Sequence, residues 1–330
     1  MLVCTVMANK SVGVFSTYTL EMISDSGTSN AAVLKRGAIL FDGFLFHPQG
    51  VPVGMKSSDF PGWLTDKGEF LSIFASKDSN ERTFLAHSRE FRNLFELTDE
   101  ASGNAERFYR SVRDRFNGNM ALRSAVYEMA QEEVDRATTK TIQEKRNAWD
   151  FAKRLIGQLS EDFGLFDAVH ETNPSAIGLF SDLHRRVLAR AAQSSAGGPH
   201  GPYDFVLQSK ALPFPDFGQL PWKSILELRK NSYLGDFRDK LAEFAAKKAT
   251  YEDVDESLLS DLWKIAGLAR HDLKRAYFSA LLGNVPLPMI LPNPIGIAAS
   301  AGDIRKQRRL SKFGWVFFIA ETGRLIQALN

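Results

Sequence analysis

The chain has 330 residues, of which 44% are hydrophobic and 24% charged, proportions that suit one or two folded domains and exclude a disordered, collagen-like or low-complexity protein. The 41 basic and 39 acidic residues leave a net charge of +2, so the molecule as a whole is no electrostatic binder of nucleic acid. A single cysteine, Cys4, excludes an internal disulfide and any metal site built on paired thiolates, and 25 phenylalanines point to a large aromatic core or a buried partner surface.

The segment from Met1 to Ala8 carries neither a charged leader nor a long apolar stretch, so a cytoplasmic protein is expected. Val12 to Ile23 is rich in Val, Phe, Thr and Tyr, a β-forming mixture, and Asp25 to Asn30 is a polar turn. Ala31 to Arg36 predicts a helical turn. Ala38 to Phe46 predicts a buried strand interrupted at Asp42-Gly43, which together give a β-α-β start. Three prolines and three glycines between His47 and Gly62 predict a loop.

From Lys67 the pattern is helical for well over a hundred residues. Phe108, Val112 and Phe116 recur four residues apart within a predicted helix from Ala105 to Phe116. Met120 to Leu159 is the longest amphipathic stretch, with a break expected in the polar run Thr138 to Lys145, and Ser175 to Ala192 predicts a further helix. Gln193 to Pro202, with three glycines and two prolines, reads as a linker between parts at 1–192 and 203–330.

Beyond the linker, Tyr203 to Leu207 predicts a strand and Ala211 to Pro221 a loop, with Pro221 placed to open a helix that bends around Asn231 to Gly235. Ser257 to Leu282 predicts another helix. No charge occurs between Arg275 and Asp303, but Pro286, Pro288, Pro292 and Pro294 would strand carbonyls in hydrocarbon. A buried extended segment over 276–302 is therefore expected rather than a membrane span. Trp315 to Ile319 reads as a strand or a buried helix. The fold class expected is a helix-dominated α/β (or α+β) protein, with a small N-terminal sheet followed by helical middle and C-terminal regions.

Chemistry is sparse. No phosphate loop, dinucleotide glycine motif, His-Glu-x-x-His or Gly-x-Ser-x-Gly occurs. Asp162-Phe163-Gly164 spells the magnesium motif of kinases without the catalytic loop that should precede it, and reads as a chance match. No two of the six histidines stand three or four residues apart, so a helical two-histidine metal site is excluded. His184, in Asp182-Leu-His184-Arg185-Arg186, reads as part of a solvated helix face, and so do Glu132, Glu133 and Asp135. No cofactor and no metal is expected. Asp42 and His47 flank the end of the predicted apolar strand, where open α/β sheets hold ligands, and form a candidate pocket. Arg305, Lys306, Arg308, Arg309 and Lys312 form a candidate nucleic-acid or anion site, in a tail with six basic residues against two acidic ones from Ala301 onwards.

Leu226-Glu227-Leu228-Arg229-Lys230, Asp236-Phe237-Arg238-Asp239-Lys240-Leu241 and Ile39-Leu40-Phe41-Asp42 resemble segments of an uncharacterised bacterial protein family of unknown function. The resemblance implies a bacterial origin and carries over no site residue. The foremost functional expectation is a non-enzymatic bacterial interaction or regulatory protein that engages a protein partner or a second copy of itself. One alternative is a nucleic-acid-binding protein using 305–312, and another is a metal-dependent hydrolase or nuclease with a carboxylate site that no motif reveals. Membrane association is not expected.

Overall fold

The computed structural model describes residues 11–47, 67–98, 105–136, 141–194, 216–247 and 313–328, apart from 26, 28 and 175, together with 257, 260 and 261. The chain divides into two compact units, Met1–Asp204 and Phe205–Asn330. It is a helix-dominated α/β protein whose sheet lies in the first unit.

That sheet contains four parallel strands, β1 (Val12–Ser16), β2 (Gly43–His47), β3 (Phe95–Leu97) and β4 (Ala176–Gly178), in the order β3-β2-β1-β4. Between β1 and β2 lie α1 (Thr17–Asp25) and α2 (Asn30–Leu40), and between β2 and β3 lie α3 (Lys67–Ala75), α4 (Ser79–His87) and α5 (Arg89–Arg92). The return to β4 passes through α6 (Ala105–Gly118), α7 (Met120–Arg136) and α8 (Ile142–Thr172), and α9 (Asp182–Ser194) follows β4.

Strand register divides the inward side chains into two chemically different faces. Gly13 pairs with Phe44 and Phe15 with Phe46, so these four share one face, and Phe44 pairs in turn with Phe95. On that face the Phe44 and Phe95 rings stack at 5.0 Å, and Phe15 meets Phe44 edge-on at 5.7 Å. Gly13 has no side chain because a Cβ there would lie 2.8 Å from the Phe41 ring. The opposite face carries Val12, Val14, Leu45, Ser16 and His47. Helices cover both faces: Gly37 of α2 lies against the Phe44 ring and Phe70 of α3 against Phe46, while Asp162 of α8 bonds Ser16 on the other side. Coverage on both sides explains why β1 and β2 are buried at every position.

Local chemistry sets the helix ends. Ser29, Asp78 and Ser88 cap α2, α4 and α5 by accepting from a first-turn N–H, and Thr141 with Glu144 makes a full capping box that opens α8. The boundary between α7 and α8 falls in the polar run where a break is expected. A Cβ at Gly164 would overlap the Val112 carbonyl oxygen, so this glycine sets how closely α8 approaches α6.

Three sequence expectations are corrected. Thr17 to Ile23 is helix rather than strand, because Ser16 caps α1 directly after β1. Ala38 to Leu40 completes α2, and the second strand starts only at Gly43. The expected helix from Ser175 is split, with β4 at Ala176–Gly178 and α9 from Asp182. Trp315 to Ile319 resolves as helix. The predicted strand at 203–207, most of the helix at 257–282 and the proline-rich segment 276–302 lie outside the described residues, as does most of the linker 193–202.

The second unit shows a 3-10 turn (Phe217–Gln219), α10 (Trp222–Leu228), α11 (Leu234–Lys247) and α12 (Gly314–Gln327). Pro221 is the N-cap of α10. Phe237 stacks on Phe318 at 4.8 Å, and Phe217 meets both rings. Among the described residues no helix is long and apolar enough to cross a membrane.

Candidate functional site

Ligands of open α/β sheets settle outside the carboxyl ends of the strands, at the place where successive connections turn in opposite directions. Here β2 and β3 lie on one side of β1 and β4 on the other, so that place is between β1 and β4. The side chains gathered there and along the same edge are polar. Ser16, Thr19, His47, Thr98, Asp162, Ser181 and His184 are each at most 3% exposed.

Two helix starts face one another across the gap. Ser16 caps α1: its Oγ accepts from the Thr19 N–H at 3.0 Å, and its own N–H donates to Thr19 Oγ1 at 3.1 Å. Ser181 caps α9 in the same reciprocal way. Its Oγ accepts from the His184 N–H at 3.5 Å, and its N–H donates to His184 Nδ1 at 3.3 Å. Thr19 and His184 thus take the part that Glu or Gln plays in a capping box.

The Asp162 carboxylate lies between these two starts. Ser16 Oγ donates to its Oδ1, Thr19 Oγ1 donates to Oδ2 at 3.1 Å, and His184 Nε2 lies 2.9 Å from Oδ2. The Ser181 N–H points at His184 Nδ1, which therefore accepts. The ring proton is then on Nε2 and is donated to Asp162. Ser181 Oγ, 2.8 Å from Nδ1, supplies a second donor to the same nitrogen. The His184 ring is held flat on Phe180 at 5.3 Å and edge-on to Phe163 at 5.4 Å.

The edge continues across the sheet. Ser16 and His47 are register partners on β1 and β2, and His47 Nδ1 lies 2.8 Å from Thr98 Oγ1 at the end of β3. Burial drives the His47 pKa down to about 4, against a smaller opposing pull from Asp162, so its ring is neutral at pH 7. At the outer rim Glu161 is raised above the usual carboxylate range by burial and then by the charge of Asp162, with Arg113 opposing. Tyr18 is raised by burial, then by Glu161, Glu21 and Asp162, with Arg154 opposing. Shifted groups at the mouth of a strand edge are a mark of functional sites.

No protein-family model, curated protein or solved structure matches this chain. The site therefore rests on its own geometry.

Of the residues singled out in the sequence, His47 belongs to this centre and Asp42 does not. Asp42 precedes β2 at its opposite end, where it is exposed and accepts from the Ser11 N–H at 3.1 Å. A pocket shared by Asp42 and His47 is corrected for that reason: the strand begins at Gly43, so the two flank it at opposite ends. Arg305, Lys306, Arg308, Arg309 and Lys312 lie outside the described residues.

His184 is also corrected, from a solvated helix face to a fully buried hydrogen-bonding group. The spacing Ser181-x-x-His184 at the start of an amphipathic helix is the sequence signal for it. Of the Asp162-Phe163-Gly164 run, Asp162 lies in the hydrogen-bonded centre and Gly164 lies against Val112 of α6. Glu132 and Glu133 pair with Arg190 and Arg136 on the surface. Among the described residues no three His, Cys, Asp or Glu side chains are grouped to hold a metal ion.

Proposed function

We propose that the first unit binds a small polar molecule at the carboxyl edge of its parallel sheet, and that the protein acts as a non-enzymatic, ligand-responsive module. The observation that carries this reading is the concentration of buried polar side chains at the one edge of the sheet where doubly wound proteins bind ligands. Binding is favoured over catalysis because the buried hydroxyls and imidazoles are already committed to one another. Ser16, Thr19 and His184 all serve Asp162, Ser181 serves His184, and Thr98 serves His47. Among the described residues, what remains to meet a ligand is the rim, with Tyr18 on α1 and Glu161 on α8.

The test is a thermal-shift screen of the full-length protein against a library of polar metabolites, repeated on Tyr18→Phe and Glu161→Gln. A true ligand at about a hundredfold excess over its Kd adds roughly 2.7 kcal/mol of stability. The expected result is at least one stabilising compound whose effect falls in both rim variants. A screen without hits, or hits indifferent to both substitutions, would overturn the reading.

A further inference from the structure

The same site also indicates the class of ligand, an inference that rests on the carboxyl-edge reading above. A phosphate at such an edge is held by the free N–H groups at a helix start, which a glycine-rich turn leaves open to it. The glycine-rich turn is absent here, and a cap already occupies one N–H of each helix start. Helix α1 begins directly after β1 with Ser16-Thr17-Tyr18-Thr19, which contains no glycine. The third N–H of α1 is given to Ser16 Oγ and that of α9 to Ser181 Oγ. The N–H groups of Ser16 and Ser181 are returned to Thr19 and His184. Between the two helix starts, where an incoming anion would be best stabilised, the protein has placed its own carboxylate, Asp162.

The surrounding charge acts in the same direction. Glu21, Glu161 and Asp162 all act on Tyr18, opposed by Arg154, while Glu161 is opposed by Arg113. His47 contributes a neutral ring. Among the described residues three acidic groups thus stand against two basic ones at this rim. We infer that the site takes a non-anionic ligand rich in hydrogen-bond donors, of the amine or polyol class, and rejects its phosphorylated counterpart. The Asp162 carboxylate fills the place between the helix starts that an external anion would take.

Matched pairs of probes test this: ethanolamine with phosphoethanolamine, ribose with ribose 5-phosphate, glucose with glucose 6-phosphate, and adenosine with adenosine monophosphate. Each is titrated into the full-length protein by calorimetry, and into Glu161→Gln and Glu21→Gln. The expected result is that one or more unphosphorylated members bind and that the phosphate weakens binding at least tenfold. Any member that binds should weaken in Glu161→Gln, and the positively charged amine should lose the most affinity in both glutamine variants. A phosphorylated member that binds as tightly as its partner, or tighter, would overturn the ligand class while leaving the site reading intact. Failure of every member of every pair, together with a screen without hits, would overturn both.

Discussion

The two units of this protein both pack around phenylalanine, yet they treat polar groups very differently. In the second unit Phe217, Phe237 and Phe318 form a ring cluster beside buried Trp222, and among its described residues Thr322 is the one buried polar side chain. Its hydroxyl does no more than donate to the Phe318 carbonyl one turn back in the same helix, at 2.9 Å. In the first unit an aromatic face of comparable density sits on one side of the sheet, while the strand ends carry a carboxylate, two imidazoles and four hydroxyls. Phenylalanine packing therefore accounts for stability in both units. A protein seeking only stability has no reason to bury a carboxylate, since apolar replacements of buried charge networks are often as stable or more so. The contrast is what directs the proposal above to the edge of the sheet.

Asp162→Ala is the strongest way to break that contrast. It removes the shared acceptor of Ser16, Thr19 and His184 and should destabilise the first unit, in urea denaturation, by about 1–3 kcal/mol for each donor left unpaired. A loss below about 1 kcal/mol would show that water or relaxation replaces the carboxylate easily, and the centre would lose its special standing.

The second test uses pH. His47 has a folded-state pKa of about 4 against an ordinary value of 6.5, so it is neutral in both states above pH 6.5. As pH falls below 6.5 the unfolded chain takes up a proton that the folded protein refuses. Stability is lost progressively until pH 4, by about 3 kcal/mol in all. Glu161 and Asp167, both raised by burial, act in the opposite sense over the acid range, because protonation relieves their burial. The difference between the wild type and His47→Gln isolates the histidine. The wild type should lose more stability than the variant between pH 6.5 and 4, and parallel pH curves would contradict the assignment.

Thr322→Val gives the smallest effect. It removes a hydroxyl whose acceptor already belongs to a helix, so less than about 1 kcal/mol should be lost. A larger loss would erase the difference between the two units.

Much of the scaffold was legible in the sequence because it is written in local patterns. The polar break after α7, the bend before α11 and Pro221 at the start of α10 are all set by residues within a turn of where they act. The errors came where a local signal was overruled. Thr17 to Ile23 has β-forming composition, yet Ser16 and Thr19 cap one another and start a helix. Ala176 to Gly178 is too short to show alternation, and only pairing with β1 makes it a strand. The site was half legible. His47 stands out because an imidazole at the end of an apolar run is conspicuous. Asp162 and His184 do not stand out, since each looks like an ordinary polar residue in an amphipathic helix. Their partners lie 146 and 22 residues away along the chain.

That first separation has a kinetic meaning. The hydrogen bond from Ser16 to Asp162 closes a loop of most of the first unit, and long-range closure of this kind is slow compared with helix formation. On the ribosome β1 emerges first, and Ser16 must wait for Asp162 and then His184 to be synthesised before its neighbourhood is complete. At ordinary elongation rates of about 5–20 residues per second, that wait lasts on the order of ten seconds or more. Over that interval the face of β1 and β2 that carries Val12, Val14 and Leu45 lacks α8, the helix that covers it. A nascent chain stalled before residue 162 should therefore be held by chaperones, whereas one stalled well past α9 should be released.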